Sequence, residues 1–303
     1  CIFDGKSTDE LSVFVERKNT IVSYNGNENW CLLENRIELA IKSKIDRLGV
    51  PLSNWNIRIN YGIKTGYNKA FIIDNTIKAD LIRQDNKSAD IIRPLLQGKD
   101  IERYWYKNSK KYIILTHNGC SQLNMPHVDV NEYPAIKNHL DKYYKELVTR
   151  KDQGYTPYNL RSCSYMDDFF KPKIIYSEIV QKPQFYLDEN NLIPEASSFI
   201  LSGEHLKYLC IMLNSKVIAY FFKKFYAGGG LGDSGYRYKK KFLLTLPIIQ
   251  PTHEIEREFN CFYERKDFHS IEKLNQLENY ILQLYDFNEE EKHYILKEIK
   301  LIN

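Results

Sequence analysis

The sequence predicts an α+β fold, mixed sheets with flanking helices, closed by a helical C-terminal tail. Three observations carry that expectation. Apolar residues recur every three or four positions from 28 to 48, and again beyond 250, as amphipathic helices require. Between those stretches lie short runs rich in β-branched and aromatic residues, bounded by turn formers. With 303 residues, 43% of them hydrophobic, and a mean hydropathy of -0.49, the chain can bury a core and has the profile of a soluble protein.

Taken in order, residues 11–24 alternate and read as a hairpin. Trp30, Leu33, Ile37, Ile41, Ile45 and Leu48 form one helical stripe, stopped by Gly49 and Pro51. Strands are expected at 56–60, 69–74, 111–117, 173–179 and 197–201. A helix is expected over 134–150, with Pro134 in its first turn and Ile136, Leu140, Tyr143 and Leu147 on one side. Residues 204–226 read as helical with a break at Asn214-Ser215, and 242–249 as a strand closed by Pro251. In the tail, Ile271, Leu274, Ile281 and Leu284 make a second stripe. Asn288 with Glu291 has the form of a capping box opening the last helix.

Composition narrows the function classes. No apolar run approaches the ~20 residues of a membrane span. The six cysteines stand too far apart for a zinc ribbon or a disulfide framework, and suit a reducing cytoplasm. There is no signal peptide, and a start at Cys1 rather than Met points to a longer parent. The seven histidines form no metal-binding pair, and the two E-x-K runs, at 264–266 and 298–300, fall in solvated acidic helices. The net charge of +4 hides an asymmetry. Residues 250–303 hold 12 acidic and 7 basic side chains, a balance of −5, whereas residues 1–249 hold 36 basic and 27 acidic, a balance of +9. Basic charge interleaved with 23 tyrosines suits a nucleic-acid surface, although lysine-rich coding alone accounts for it equally well.

Three loops carry the candidate contacts. Gly62 to Lys69 brackets Lys64, Thr65, Tyr67, Asn68 and Lys69, donors suited to phosphates and base edges, but lacks the end of a Walker motif. The segment 154–161 offers Tyr158 and Arg161. Gly230-Leu231-Gly232-Asp233-Ser234-Gly235 spells G-x-G-x-x-G, yet it follows a helix and precedes a strand, so a dinucleotide site is not expected there. The run behind it, Arg237, Tyr238, Lys239, Lys240 and Lys241, is placed at phosphates instead. Lys99 and Arg103 join these candidates from the stretch around Tyr104-Trp105-Tyr106, in which Trp105 is expected in the core. No catalytic residue and no metal ligand is assigned.

Several ordered blocks carry a resemblance: residues 49–55 and 59–74, Ile91 to Tyr104, Lys171 to Tyr176, Tyr208 to Tyr220 with Leu213-Asn214-Ser215-Lys216, and Leu244 to Ile249. Together they span roughly residues 28–290 and resemble the C-terminal specificity region of TaqI-like adenine-N6 DNA methyltransferases, a family that includes the fused type IIG restriction-modification enzymes. The closing blocks are also loosely similar to type I specificity subunits. The resemblance implies a target recognition domain over 56–250, after a lead-in over 1–55 and before an acidic tail over 251–303. Its partners would be double-stranded DNA and a methyltransferase domain in the same parent chain. That domain would flip and methylate adenine from S-adenosylmethionine, with Mg²⁺ where a nuclease is fused. The chain has no Asn-Pro-Pro-Tyr motif, and Tyr226 to Gly230 lacks the strand context of a methyl-donor loop, so neither catalysis nor donor binding is expected of it. Retained nuclease or methyltransferase activity, a protein-docking module and single-stranded RNA binding stay open as alternatives.

Overall fold

A computed structural model describes residues 36–227 and 235–302. The expected hairpin at 11–24, the first residues of the helix from 28, and most of the glycine motif lie outside them. The chain opens on α1 (Arg36–Leu48), which buries Ile41 and Ile45 and ends at Gly49. A Cβ at Gly49 would lie 2.7 Å from Pro247, so only glycine lets the chain turn there. Next come β1 (Val50–Pro51), β2 (Ile57–Tyr61), the single turn α2 (Asn68–Phe71), β3 (Ile72–Asp74) and α3 (Asn75–Gln84). Asp74 caps α3, its carboxylate accepting from the Thr76 and Ile77 amides. The middle of the chain gives β4 (Ile92–Leu96), β5 (Lys111–Ile114), α4 (Pro134–Asp141), α5 (Tyr144–Thr149), β6 (Lys173–Ser177), β7 (Ile179–Val180), β8 (Phe185–Asp188), β9 (Ile193–Pro194) and β10 (Ser198–Gly203). Then follow α6 (Leu206–Asn214), α7 (Lys216–Phe221), a wider π turn at Phe222–Tyr226, β11 (Tyr236–Arg237), α8 (Lys240–Leu243) and β12 (Pro247–Ile248). Three tail helices close the chain: α9 (His253–Glu264), α10 (Ile271–Leu284) and α11 (Glu289–Ile302).

The architecture is α+β and turns on one four-stranded antiparallel sheet, in the order β2-β10-β6-β8. Side chains alternate across a strand, and here both faces are covered. Ile174, Tyr176, Phe199 and Leu201 enter one core, whereas Ile175 and Ile200 enter the other. That is why β6 is buried at every position. The first core adds α1, α6, α7 and the tail helices; the second holds a mixed sheet, β3-β5-β4-β9, with α3, α4 and α5 packed around it. Inside the wall, Lys173 and Asp188 are fully buried and paired at 2.6 Å across β6 and β8. Asp188 also accepts from the Asn190 and Leu192 amides, and Lys173 also donates to the Phe169 carbonyl, so the buried charges are solvated by protein dipoles.

Three expectations need correction. The helix over 134–150 is two helices. Amides 146 and 147 restart on the Tyr143 carbonyl, and the Tyr143 ring is held between Tyr67 and His139 at 6.0 and 5.6 Å. The strand over 242–249 shrinks to β12, because residues 240–243 close a helical turn that sinks Leu243 into the first core. The chain then runs past Leu52 and Ser53, whose amides take the Leu246 and Leu244 carbonyls. The strand expected from Lys69 begins only at Ile72, after α2. The break at Asn214-Ser215 is present: the buried Asn214 amide clamps both backbone groups of Phe185, and the Ser215 hydroxyl caps α7.

Candidate nucleic-acid interface

The loop leaving β2 is shaped by close approach. Gly62 runs so near Glu195 that a Cβ would lie 2.2 Å from that residue's carbonyl oxygen, and the amides of Gly62 and Ile63 bond Ser198 and Pro194 at 2.8 Å. Thr65 is 3% exposed, and its hydroxyl donates to Asn68 while accepting from the Tyr67 amide. It is therefore a loop staple rather than a DNA contact, which corrects its place among the candidates. Asn68 donates its side-chain amide to Glu195, which also takes Gln97 at 2.7 Å. Tyr67 is half-buried, and Lys64 and Lys69 stand exposed.

The second loop is brought against the first by a residue that the sequence did not single out. Arg150 is 8% exposed, and its guanidinium donates to the carbonyls of Thr65, Pro157 and Asn159, with the Phe71 ring 4.6 Å away. Among the described residues no carboxylate bonds it. Burial pushes its pKa down to about 10, against the pull of nearby Asp152, so it stays charged at neutral pH. Asn159 completes the knot, donating to the Val128 carbonyl at 2.9 Å and accepting from Thr156. A lone arginine after a helix carries no motif, and a Cβ-level clue exists only at Gly66, whose φ of +69° and approach to Asp152 mark where the loops touch.

Between the two loops lies a cleft bordered by Tyr61, Lys64, Arg161, Cys163, Ser164 and Tyr165. Tyr61 is 50% exposed with its ring 4.5 Å from Phe199, so one aromatic face is braced from below. Arg161 is exposed and donates to Asp152 from one terminal nitrogen at 3.2 Å, so the rest of its guanidinium can serve further acceptors. Burial raises the Tyr165 phenol to about 12 and pushes the Cys163 thiol up, so both are neutral groups at pH 7. The charges of the cleft are thus cationic, and its remaining polar groups are hydroxyls and a thiol.

The other expected contacts scatter. Tyr158 is half-buried and its hydroxyl bonds Asp141 at 2.5 Å, anchoring the second loop to α4. Lys99 is exposed on a turn pinned by Ser177 and Ser197. Arg103 is half-buried beside Glu278 at 3.5 Å and over the Tyr104 ring, a structural post. Tyr238, expected at phosphates, is instead 1% exposed in the first core, its hydroxyl 3.3 Å from that of Tyr236, too deep to meet a phosphate. Arg237 lies half-buried in β11 against β7; Lys239 and Lys241 are exposed and Lys240 half-buried, and none of the four borders the cleft. Conversely Trp105, expected in the core, is 52% exposed, because Tyr104 adopts φ +67° and takes the inner position against Phe268. Tyr155, 75% exposed beside His127, is a further aromatic not assigned from sequence. Among the described residues no three His, Cys, Asp or Glu side chains gather to hold a metal, and no helix is long and apolar enough to cross a membrane.

Comparison with known proteins gives this geometry a context. Residues 93–248, half of the chain, match the model of the TaqI-like C-terminal specificity domain. The chain is similar to a type IIL restriction-modification enzyme, MmeI, whose structure is in complex with DNA. The identity is 14% and the TM-score 0.61, over 83% of this chain and 36% of that one. It is also similar to the type IIG restriction endonuclease BpuSI, at 13% identity and a TM-score of 0.49, over 75% of this chain and 27% of that one. At such identities the likeness to MmeI is one of fold, and this chain spans about a third of that enzyme's length.

Proposed function

The chain belongs to the TaqI-like C-terminal specificity domains, and from that premise we propose that it reads a sequence in double-stranded DNA for a restriction-modification enzyme. The observation that carries the proposal is the cleft itself. Two loops, tied by Arg150, present a braced tyrosine face and two cations, Lys64 and Arg161, with no carboxylate among its lining residues. Lys64 at its margin neutralises phosphate and helps hold the protein on any duplex, with an affinity that falls with salt. Arg161, beside Asp152, can supply the two parallel N–H groups a guanine edge accepts, a contact worth about 1–3 kcal/mol of discrimination. Tyr61 can lie against sugar or base.

The finer reading is that the parent is an adenine-N6 methyltransferase, with or without a fused endonuclease. Its catalytic domain, in cis, would bind S-adenosylmethionine, and Mg²⁺ where a nuclease is present. This chain then positions the duplex and performs no chemistry. A cytoplasmic site for the parent is in keeping with Cys120, Cys163, Cys210 and Cys261 as free thiols.

Selection of bound duplexes from a randomised library tests the proposal. The chain is expected to enrich a defined sequence, and Arg161→Ala to relax the preference at one base pair while leaving the others. Equal binding to all duplexes, stronger binding to single-stranded RNA, or nicking or methylation by the chain alone would each count against it.

A further inference from the structure

Away from the cleft, three lysines converge where no loop motif announced them. Lys182, from the segment between β7 and β8, meets Lys216 and Lys223, from α7 and the turn after it, around a crevice walled by Tyr220 and Tyr236. Among the described residues no carboxylate lines it. Lys182 reaches Glu102 only at 3.9 Å, Lys223 stands 5.8 Å from the Tyr236 ring centre, and no carboxylate among the described residues pairs with Lys216 or Lys223. The amides opening α7 are taken by Ser215 and Glu278, so the attraction on offer is that of the ammonium groups, with that of Lys216 partly offset by the Glu278 carboxylate. Cations gathered around one recess repel one another unless an anion sits between them.

We propose that this crevice binds phosphodiester groups of the DNA backbone outside the readout cleft, an inference that rests on the DNA reading above. The row Tyr61, Phe199, Tyr176 and Phe185 crosses the central sheet, with Tyr61 at the cleft and Phe185 three residues after Lys182. Three strand spacings of about 4.8 Å place these ends about 14 Å apart. A duplex seated in the cleft and running along that end of the sheet would carry its flanking phosphates toward the crevice.

The test uses the 303-residue chain carrying Lys182→Gln, Lys216→Gln and Lys223→Gln, with melting by circular dichroism to establish its fold. Its binding is followed across a salt series on two duplexes, one ending at the selected site and one extended by about ten base pairs on each flank. On the extended duplex the slope of log affinity against log salt should fall by about 1–3, at about 0.9 for each phosphate no longer neutralised. The short duplex should keep the parent's slope, and both should keep its base preference. An unchanged slope on the extended duplex, with base preference intact, overturns the crevice alone. If the parent chain holds inorganic pyrophosphate there, the variant loses it and the slope is unchanged, the crevice is a small-anion site and the DNA assignment falls. Failure of the parent chain to bind either duplex would overturn the recognition reading itself.

Discussion

His139 sits on α4, 6% exposed, with Nε2 3.0 Å from the Ala70 carbonyl, a neutral imidazole bracing the turn that follows the first recognition loop. Burial holds its pKa below the usual value of about 6.5, and burial, with Arg93 adding to it, does the same for His117. Between those lowered values and 6.5 the unfolded chain takes up protons that the folded chain refuses. Stability should therefore fall as pH drops below 6.5, by at most about 1.4 kcal/mol per pH unit for each histidine. Urea midpoints measured from pH 7 to 5 would record the fall, and His139→Gln, which keeps a donor for Ala70, should remove part of it. A variant whose midpoint tracks the parent over that range would show that His139 plays no part. At this scale the sequence spoke clearly only where charge alone fixes exposure, as at Lys64 and Arg161. Hydroxyl groups can be satisfied inside or outside, so the sequence alone left the burial of Thr65 and Tyr238 open, even though their hydroxyl partners lie within three residues. The same holds for Arg150, whose carbonyl partners lie as far as 85 residues away.

Glu278 illustrates how one element is built on another. From α10 its carboxylate accepts from the amides of Lys216 and Val217, the first two of α7, while Arg103 lies 3.5 Å away. Burial raises its pKa, and the two amides and the arginine oppose that shift. Glu278→Ala strands the buried Val217 amide and the part-buried Lys216 amide, and the expected loss is about 2–3 kcal/mol of unfolding free energy. Glu278→Gln keeps one good acceptor and should lose less; equal losses in denaturant titrations would show that the cap is not the cause. Helices were readable where a stripe repeats, and the Asn288–Glu291 box closes reciprocally, at 2.8 and 2.9 Å. The sheets were harder to resolve. A strand buried on both faces loses the alternation that identifies it, and β7, β11 and β12 are two residues long, too short for any period.

Across the whole molecule, the acidic tail and the basic body prove to be partners in one core. Phe259, Leu277, Ile281, Tyr285 and Ile295 pack with α1, α6 and α7, and the tail's Glu256, Glu264 and Glu291 reach His205, Lys207 and Lys44, each at 2.7 Å. The two more exposed pairs, at His205 and Lys207, add little stability, but all three place negative charge on residues that do not border the cleft. A chain ending at residue 250 should therefore expose the first core, bind a hydrophobic dye and aggregate. A soluble monomer with cooperative unfolding would instead make the tail dispensable. The charge asymmetry was legible in the sequence; that its two halves interlock was not, since no local pattern records a contact over 200 residues. The central sheet, committed to a core on either face, leaves its strands no freedom to drift. Any descendant of this protein that acquires a new target must do so by exchanging loops, and the guanidinium of Arg150 makes 62–67 and 151–165 a single unit of inheritance. A hybrid that takes one of these loops from a relative and keeps the other would break the knot before it could read anything.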